Sequence, residues 1–360
     1  MKVGILGGGQ LARMMALAGY SMGIHTLCLD PIANVCAADV TKVIQADFTD
    51  EKQLKAFAEQ VDVITFETEN IPLSTAEWVN EIKPIYPTLE ALKIGQDRWL
   101  EKNLFKALCI PTPAFAAINN VTELEQAVAK IGLPAVLKTR RFGYDGKGQL
   151  VLKQATDMTG AWEKLGKQAL ILEQFIPFER ELSLIAVREK NGNIQFYPLV
   201  ENLHKQGILQ LSQAPFENNL LQQKAEGYVQ AILNKLNYVG TFVIELFQKG
   251  EELLANEMAP RVHNSGHWTI EGAVTCQFAN HLRAICGLPL GSTAAKGYSA
   301  MFNIIGEYPE QKKILSIPEA HYHTYEKQAK PKRKLGHITI NVADKAIYEQ
   351  RLRQLQKIWL

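Results

Sequence analysis

Two glutamates give the first indication of chemistry in this chain. Glu245 lies in the apolar run VIELF and Glu257 in LLANEM, twelve residues apart on the arms of an expected hairpin. A bare carboxylate in such surroundings costs several kcal/mol unless it is paired or metal-bound. Mg²⁺ takes one or two carboxylates and completes its shell with substrate phosphate oxygens. The pair therefore reads as a metal site, with the Asn256 amide beside it. Upstream, Lys138 ends an apolar strand and leads into the loop Gly143-Tyr144-Asp145-Gly146-Lys147-Gly148. Backbone N–H groups of such a loop can close over a triphosphate, and Lys138 adds a point charge. Taken alone, the loop is also an ordinary surface turn. The strand edge Glu173-Gln174-Phe175-Ile176 can offer alternating carbonyl and N–H groups to an adenine edge, and Glu181 can accept from ribose hydroxyls. Arg261 and His263 follow Glu257 by four and six residues. One offers a planar fork for a carboxylate or phosphate; the other offers a hydrogen bond or a proton near neutral pH.

A second phosphate-type signal opens the chain. Gly7-Gly8-Gly9-Gln10-Leu11-Ala12 fits G-x-G-x-x-A between a strand and a helix, and Asp30 ends the next strand. Alone this predicts a dinucleotide site. Any strand–helix turn that brings its backbone close to a phosphate selects the same glycines. The rest of the chain argues for a substrate phosphate at Gly9, Gln10 and Leu11. Glu67 and Glu69 in FETEN either bind substrate hydroxyls or cap a helix. His267 reads as structural, His321 and His323 receive no role, and the tail KQAKPKRKLGH is by default a solvated charge run.

The elements that must position these groups follow from periodicity. The first hundred residues alternate short apolar runs with helical patterns, which indicates a parallel sheet covered by helices. Asp97–Leu108 is a charged amphipathic helix. LPAVLKT and QLVL flank the glycine loop as strands, a helix follows near Ala155–Leu165, and ALILEQF is another strand, forming a small α+β unit. From Arg180 the pattern is that of a larger antiparallel sheet, with hairpins at Asn191-Gly192 and near Lys249-Gly250 and helices over Asn218–Leu236 and near Asp344–Lys357. The fold class is thus mixed α/β and α+β. The expected domains are 1–96, Rossmann-like; 97–176, a small lid; and 177–360, a larger antiparallel domain ending in the basic tail.

Bulk properties narrow the function. The 360 residues are 47% apolar and 21% charged with a formal net charge of +2, which gives no bulk attraction to nucleic acid or to an anionic membrane. No apolar run approaches the roughly 20 residues needed to span a bilayer. The five cysteines are scattered without a C-x-x-C pair, so buried thiols in a reducing cytoplasm are the expectation.

The segments GGGQLARM, FETENIP, QDRWLEKNLF, PAVLKTRRFGYDGKGQ, EQFIPFERELS, ENLHKQGIL, NEMAPRVHNSGHWT and HYHTYEKQAKPKRKLGHI resemble, in order and over nearly the whole chain, the ATP-grasp superfamily. Within it the chain is similar to the 5-(carboxyamino)imidazole ribonucleotide synthase family of purine biosynthesis. The resemblance implies an ATP-grasp fold and a reaction in which ATP phosphorylates bicarbonate to carboxyphosphate. The carboxyl is then captured by the amine of aminoimidazole ribonucleotide. It implies two Mg²⁺ held at Glu245 and Glu257, and a cytoplasmic homodimer. The implied ATP contacts are Arg98, Lys138, Gly143 to Gln149, Glu173 to Ile176, Glu181, His204 and Asn256. Arg261 and His263 are the implied catalytic pair for the intermediate. Gly9, Gln10, Leu11, Tyr144, Asp145, Lys147, Lys327 and Arg333 are the implied ribonucleotide site. Ala12 stands where the family commonly has glycine, and KPKRK replaces an RPGRK pattern. Competing expectations are a formate-activating transformylase, which shares the ATP site, and a nicotinamide-dependent oxidoreductase resting on GGGQLA and Asp30.

Overall fold

Short apolar runs buried on both faces are the mark of a parallel sheet, and the chain begins with one. In a computed structural model, which describes residues 1–143 and 146–359, strands β1 (Lys2–Leu6), β2 (His25–Asp30), β3 (Lys42–Gln45) and β4 (Val63–Phe66) lie parallel in the order β3-β2-β1-β4. The helix Gln10–Tyr20 buries Leu11, Ala12, Met14 and Met15. These share a core with Phe278 and Leu282 of the helix Gln277–Ile285, and with Val262 and Tyr325. Burying one such side chain stabilises by about 1.5–3 kcal/mol, so this seam fixes the N-terminal sheet against the distant C-terminal part.

A second sheet holds β5 (Phe115–Ile118), β6 (Ala135–Thr139), β7 (Gln149–Leu152) and β8 (Leu170–Gln174) in the order β5-β8-β6-β7. The helix Val121–Ile131 covers it, with Leu124, Ala127 and Val128 inward and Asn120 accepting from the Glu123 N–H as its cap. The single helix expected near Ala155–Leu165 is two short turns, Ala155–Met158 and Ala161–Lys164. Gly160 at φ 71° separates them, and a left-handed residue cannot continue a right-handed helix.

The third sheet is the largest. It contains β9 (Arg180–Arg188), β10 (Ile194–Phe196), β11 (Val200–Lys205), β12 (Ile208–Ala214), β13 (Gly240–Lys249), β14 (Glu252–Ala259), β15 (Tyr298–Ile305), β16 (Ala320–Thr324) and β17 (Lys334–Val342). The order is β14-β13-β9-β11-β12-β15-β17-β16, with β10 also on β9. The expected hairpins at Asn191-Gly192 and Lys249-Gly250 join β9 to β10 and β13 to β14. The helix Asn219–Lys235 packs Leu221, Val229 and Ile232 against Leu184, Phe242 and Ile244. The helix Lys345–Trp359 seats Tyr348 and Leu355 over the cluster that includes Phe302 and Ile338. Among the described residues no helix is long and apolar enough to cross a membrane.

Candidate active site

Segments that flank the two smaller sheets, with strands of the largest, line one cavity of about 1010 Å³. Gln10 and Leu11 of the first helix and Glu67 and Glu69 after β4 line it from the N-terminal side. Gly143, Gly146 and Lys147 line it from the glycine loop, and Arg98 from the helix Arg98–Ala107. The large sheet adds His204, Glu245 and Glu257, with Arg261 and His263 just beyond β14. The tail adds Lys327, Lys330, Lys332, Arg333 and Lys334. The solvated charge run is therefore one wall of the site. Tyr144 and Asp145 lie outside the described residues.

The two glutamates are direct cross-strand partners, Glu245 on β13 facing Glu257 on β14. Like charges directly opposite repel. Arg98 relieves one of them, its Nη1 lying 2.7 Å from Glu257 Oε2. Burial alone would raise the Glu257 pKa, but the Arg98 charge and hydrogen bond, with Lys138, hold it well below the usual carboxylate range. Glu245 goes the other way, raised by burial and then by Glu257 against the pull of His204. The register passes from Glu245↔Glu257 to Leu246↔Ala255, so Asn256 is the extra residue of a bulge, a device that re-aims side chains. Its Oδ1 is buried without a hydrogen-bond partner. Among the described residues no group of three or more His, Cys, Asp or Glu side chains could hold a metal. Two facing carboxylates with an uncommitted amide oxygen fit Mg²⁺, which draws its other ligands from water and nucleotide phosphates.

Arg261 and His263 lie past the end of β14, yet both line the cavity while Val262 between them is fully buried. Side chains there alternate as along a strand. The Arg261 fork is closed on Glu69: Nε donates to Oε2, and Nη2 donates to Oε1 at 3.0 Å. His263 Nε2 lies 3.5 Å from Glu245 Oε1. Burial, then Arg261 and Lys334, push the His263 pKa down to about 3. His204 Nδ1 is 2.8 Å from Glu181 Oε2. Burial would lower His204, but that hydrogen bond and the charges of Glu245, Glu181 and Glu257 raise it.

The remaining expected nucleotide residues sit on the lid side. Lys138 Nζ donates to Glu173 Oε2 at 2.9 Å, and Gln149 is the register partner of Lys138. The Gly148 carbonyl accepts from the Thr139 N–H at 2.8 Å. Of the stretch expected to face adenine, the Gln174 and Phe175 N–H groups donate instead to the Ala114 and Pro134 carbonyls, at 2.8 and 3.2 Å. The small sheet's own pairing claims those donors, and the Glu173 side chain is buried between lysines.

The start of the N-terminal helix is also more occupied than expected. Glu67 accepts from the Gly9 N–H and, at 3.0 Å, from the Ala12 N–H. Of the two readings left open for Glu67, the helix cap is the one realised. A carboxylate satisfies orphan donors at a helix N-terminus for the reason a phosphate would. Lys327 Nζ donates to Gln10 Oε1 at 2.6 Å, which brings tail and glycine turn together. Asp30 accepts from the N–H groups of Gly8 and Ile32, both at 2.8 Å. It organises its own turn.

Sequence reasoning missed Asp97, Glu101 and Lys102. Asp97 caps the helix through the Trp99 N–H and pairs with Arg140 at 2.9 and 2.7 Å. Lys102 is fully buried, with Nζ 2.6 Å from the Asn256 carbonyl and 3.4 Å from Glu173 Oε2. It ties β8 to β14. Glu101 accepts from the Met258 N–H at 2.5 Å. The signal was present, since Arg98, Glu101, Lys102 and Phe105 share one helix face by their spacing.

Three sheets closing on one charged cavity, with facing carboxylates opposite a glycine loop, define an ATP-grasp enzyme. Residues 103–278 match the ATP-grasp domain, residues 1–96 the ribonucleotide synthetase preATP-grasp domain, and residues 299–351 the phosphoribosylaminoimidazole carboxylase C-terminal domain. An N5-carboxyaminoimidazole ribonucleotide synthase of Pseudomonas aeruginosa is 50% identical over 358 residues, 99% of each chain. The crystal structure of an N5-carboxyaminoimidazole ribonucleotide synthetase from Thermus thermophilus superposes with a TM-score of 0.95 at 48% identity, covering 99% of this chain and 98% of that one. The Aspergillus clavatus N5-carboxyaminoimidazole synthase, solved with ADP and 5-aminoimidazole ribonucleotide, superposes at 0.92 with 31% identity, covering 99% and 98%. The chain belongs to the N5-carboxyaminoimidazole ribonucleotide synthase family, and it is an ATP-grasp ligase.

Proposed function

We propose that this chain carboxylates 5-aminoimidazole ribonucleotide with ATP and bicarbonate, through carboxyphosphate. The observation that carries the proposal is the single cavity. Facing Glu245 and Glu257, the pair Arg261 and His263, and the basic tail all open on it. Mg²⁺ bound at the two glutamates supplies neutralisation of charge on the transferring phosphoryl group. Arg98, Lys138 and the glycine loop bind the nucleotide phosphates. Arg261 and His263 hold bicarbonate in line with the γ-phosphate and stabilise the carboxyphosphate anion, a task of positioning and electrostatics rather than covalent help. Lys327 and Arg333 hold the ribonucleotide phosphate beside Gln10 and Leu11 at the helix start. Solved relatives carrying ADP, ATP and 5-aminoimidazole ribonucleotide support these ligand classes. The test is ADP release with bicarbonate or formate, each with and without the ribonucleotide. ADP release that needs bicarbonate and is stimulated by the ribonucleotide is expected; release driven by formate would overturn the choice of acid.

A further inference from the structure

Behind His263 lies a line of polar side chains that the reaction described above does not use. Ser183, Ser212 and Ser265 are fully buried and Asn202 is 6% exposed. They come from β9, β12, the turn after β14, and β11, so nothing in sequence spacing joins them. Ser212 Oγ donates to Asn202 Oδ1 at 2.7 Å. Asn202 Nδ2 donates to Ser183 Oγ at 2.9 Å. Ser183 Oγ donates to Ser265 Oγ at 2.9 Å, and Ser265 Oγ lies 2.9 Å from His263 Nδ1.

The direction of the last link is set by a group that cannot reverse. The Ser265 backbone N–H points at His263 Nδ1, 3.3 Å away. A backbone N–H only donates, so at this distance it favours an Nδ1 that presents its lone pair. The Ser265 hydroxyl, with its own oxygen accepting from Ser183, then gives its hydrogen to that same lone pair. Each member thus donates once toward the histidine, and chains of this kind polarise one another. Gln277 fixes the ring's backbone, accepting from the His263 N–H at 3.0 Å and donating to its carbonyl at 2.6 Å. With Nδ1 bare, the ring hydrogen sits on Nε2, the nitrogen turned toward Glu245 and the cavity.

We infer that Ser212, Asn202, Ser183 and Ser265 form a one-way hydrogen-bond relay that fixes His263 as its Nε2–H tautomer, so that it meets the acid being activated as a hydrogen-bond donor and not as a base. The inference rests on the reading of His263 as a contact for that acid. The four relay residues are positioning residues; His263 alone touches the reactants.

The test uses the full-length protein with ¹⁵N-labelled histidine, the His263 signals being assigned by their loss in His263→Gln. Wild type is expected to show Nδ1 bare and Nε2 protonated. Ser265→Ala removes the hydroxyl donor at 2.9 Å and leaves on Nδ1 only the longer backbone N–H at 3.3 Å; it is expected to raise the Nδ1–H fraction and to lower the carboxylation kcat by about 10-fold or more, with the KM for ATP within about twofold. Asn202→Asp keeps the shape but turns a donor into an acceptor. Ser183 then turns to it, Ser265 turns to Ser183, and the same shift of tautomer and kcat is expected. A wild-type ring protonated on Nδ1 overturns the relay whatever the activity. A tautomer that shifts as expected while kcat is unchanged overturns its positioning role. Normal carboxylation by His263→Ala, which leaves no donor at this position, overturns instead the reading of His263 on which the inference rests.

Discussion

At the scale of single residues, the site is a set of charges that each need a partner. Glu257 has Arg98 at 2.7 Å and faces Glu245. Glu257→Gln keeps the shape and removes the charge, so single-turnover ADP formation is expected to fall by about 10²-fold or more; near-normal turnover would take Glu257 out of the site. Arg261→Ala is expected to leave ATP affinity within a few-fold and to lower carboxylation by about 10²-fold. It also strips Glu69 of its partner, so loss of ATP binding with normal single-turnover chemistry would reassign Arg261 to the nucleotide. Glu173 gives the pH test. Burial would raise its pKa, but Lys102, Lys138 and Arg98 pull it from 4.5 to about 2. A carboxylate lower in the folded state stabilises above its unfolded value and loses that contribution as pH falls toward the folded one. Breaking a buried pair of this kind costs about 3–5 kcal/mol. The gap in melting temperature between wild type and Glu173→Gln is therefore expected to be widest above pH 4.5 and to close toward pH 2; a gap independent of pH would show that the lysines do not hold it.

At the scale of elements, the glycine loop leans on a hairpin. Gly146 sits at φ 75°, and a Cβ there would lie 2.7 Å from the Gln206 carbonyl oxygen. That oxygen belongs to the turn between β11 and β12, where Gln206 and Gly207 both take positive φ. Gly146→Ala meets strain of about 1–3 kcal/mol and a backbone atom that cannot swing away. The loop is expected to lift from the hairpin, raising the KM for ATP by about 10-fold while thermal stability changes little, since the loop lies outside the packed cores. An unchanged KM with a lowered melting temperature would make the contact structural only. The cap on the helix Gln10–Tyr20 is a second element-scale feature. Glu67→Ala frees the Gly9 and Ala12 N–H groups and is expected to cost about 0.5–2 kcal/mol, read as a lower midpoint in urea; no change would show that water replaces the carboxylate without loss.

At the scale of the whole molecule, the chain's two ends meet. Lys327 Nζ reaches Gln10 at 2.6 Å and stands over the Tyr325 ring at 5.6 Å. Burial, against the charge of Glu67, lowers its pKa, as do Arg333 and Lys334. Clustered like charges are costly unless an anion joins them, and the ribonucleotide phosphate is that anion in the proposed function. Neutralising Lys327 and Arg333 together is expected to raise the KM for the ribonucleotide by about 10-fold or more while the KM for ATP stays within a few-fold. An unchanged ribonucleotide KM would return the tail to a solvated surface.

Periodicity, turn chemistry and glycine placement are local, and the sequence by itself determined what depends on them: the parallel first sheet, the hairpins at Asn191-Gly192 and Lys249-Gly250, and hence that Glu245 and Glu257 lie on paired strands, though it is the bulge at Asn256 that sets them opposite. The resemblance carried by whole segments, rather than any one spacing, pointed to side chains that line the cavity, among them Gln10, Arg98, His204, Arg261, His263 and Arg333. Tertiary structure decided what those side chains do to one another. That Glu67 accepts from the helix start, that Glu69 closes the Arg261 fork, that Lys102 joins two sheets, and that the N–H groups of Gln174 and Phe175 are claimed by the Ala114 and Pro134 carbonyls all depend on contacts between distant segments. So does the relay behind His263, whose members come from four separate elements. Partner choice for a buried charge or donor is settled by what lies within about 3 Å after packing, and no period or motif in one segment encodes the position of another.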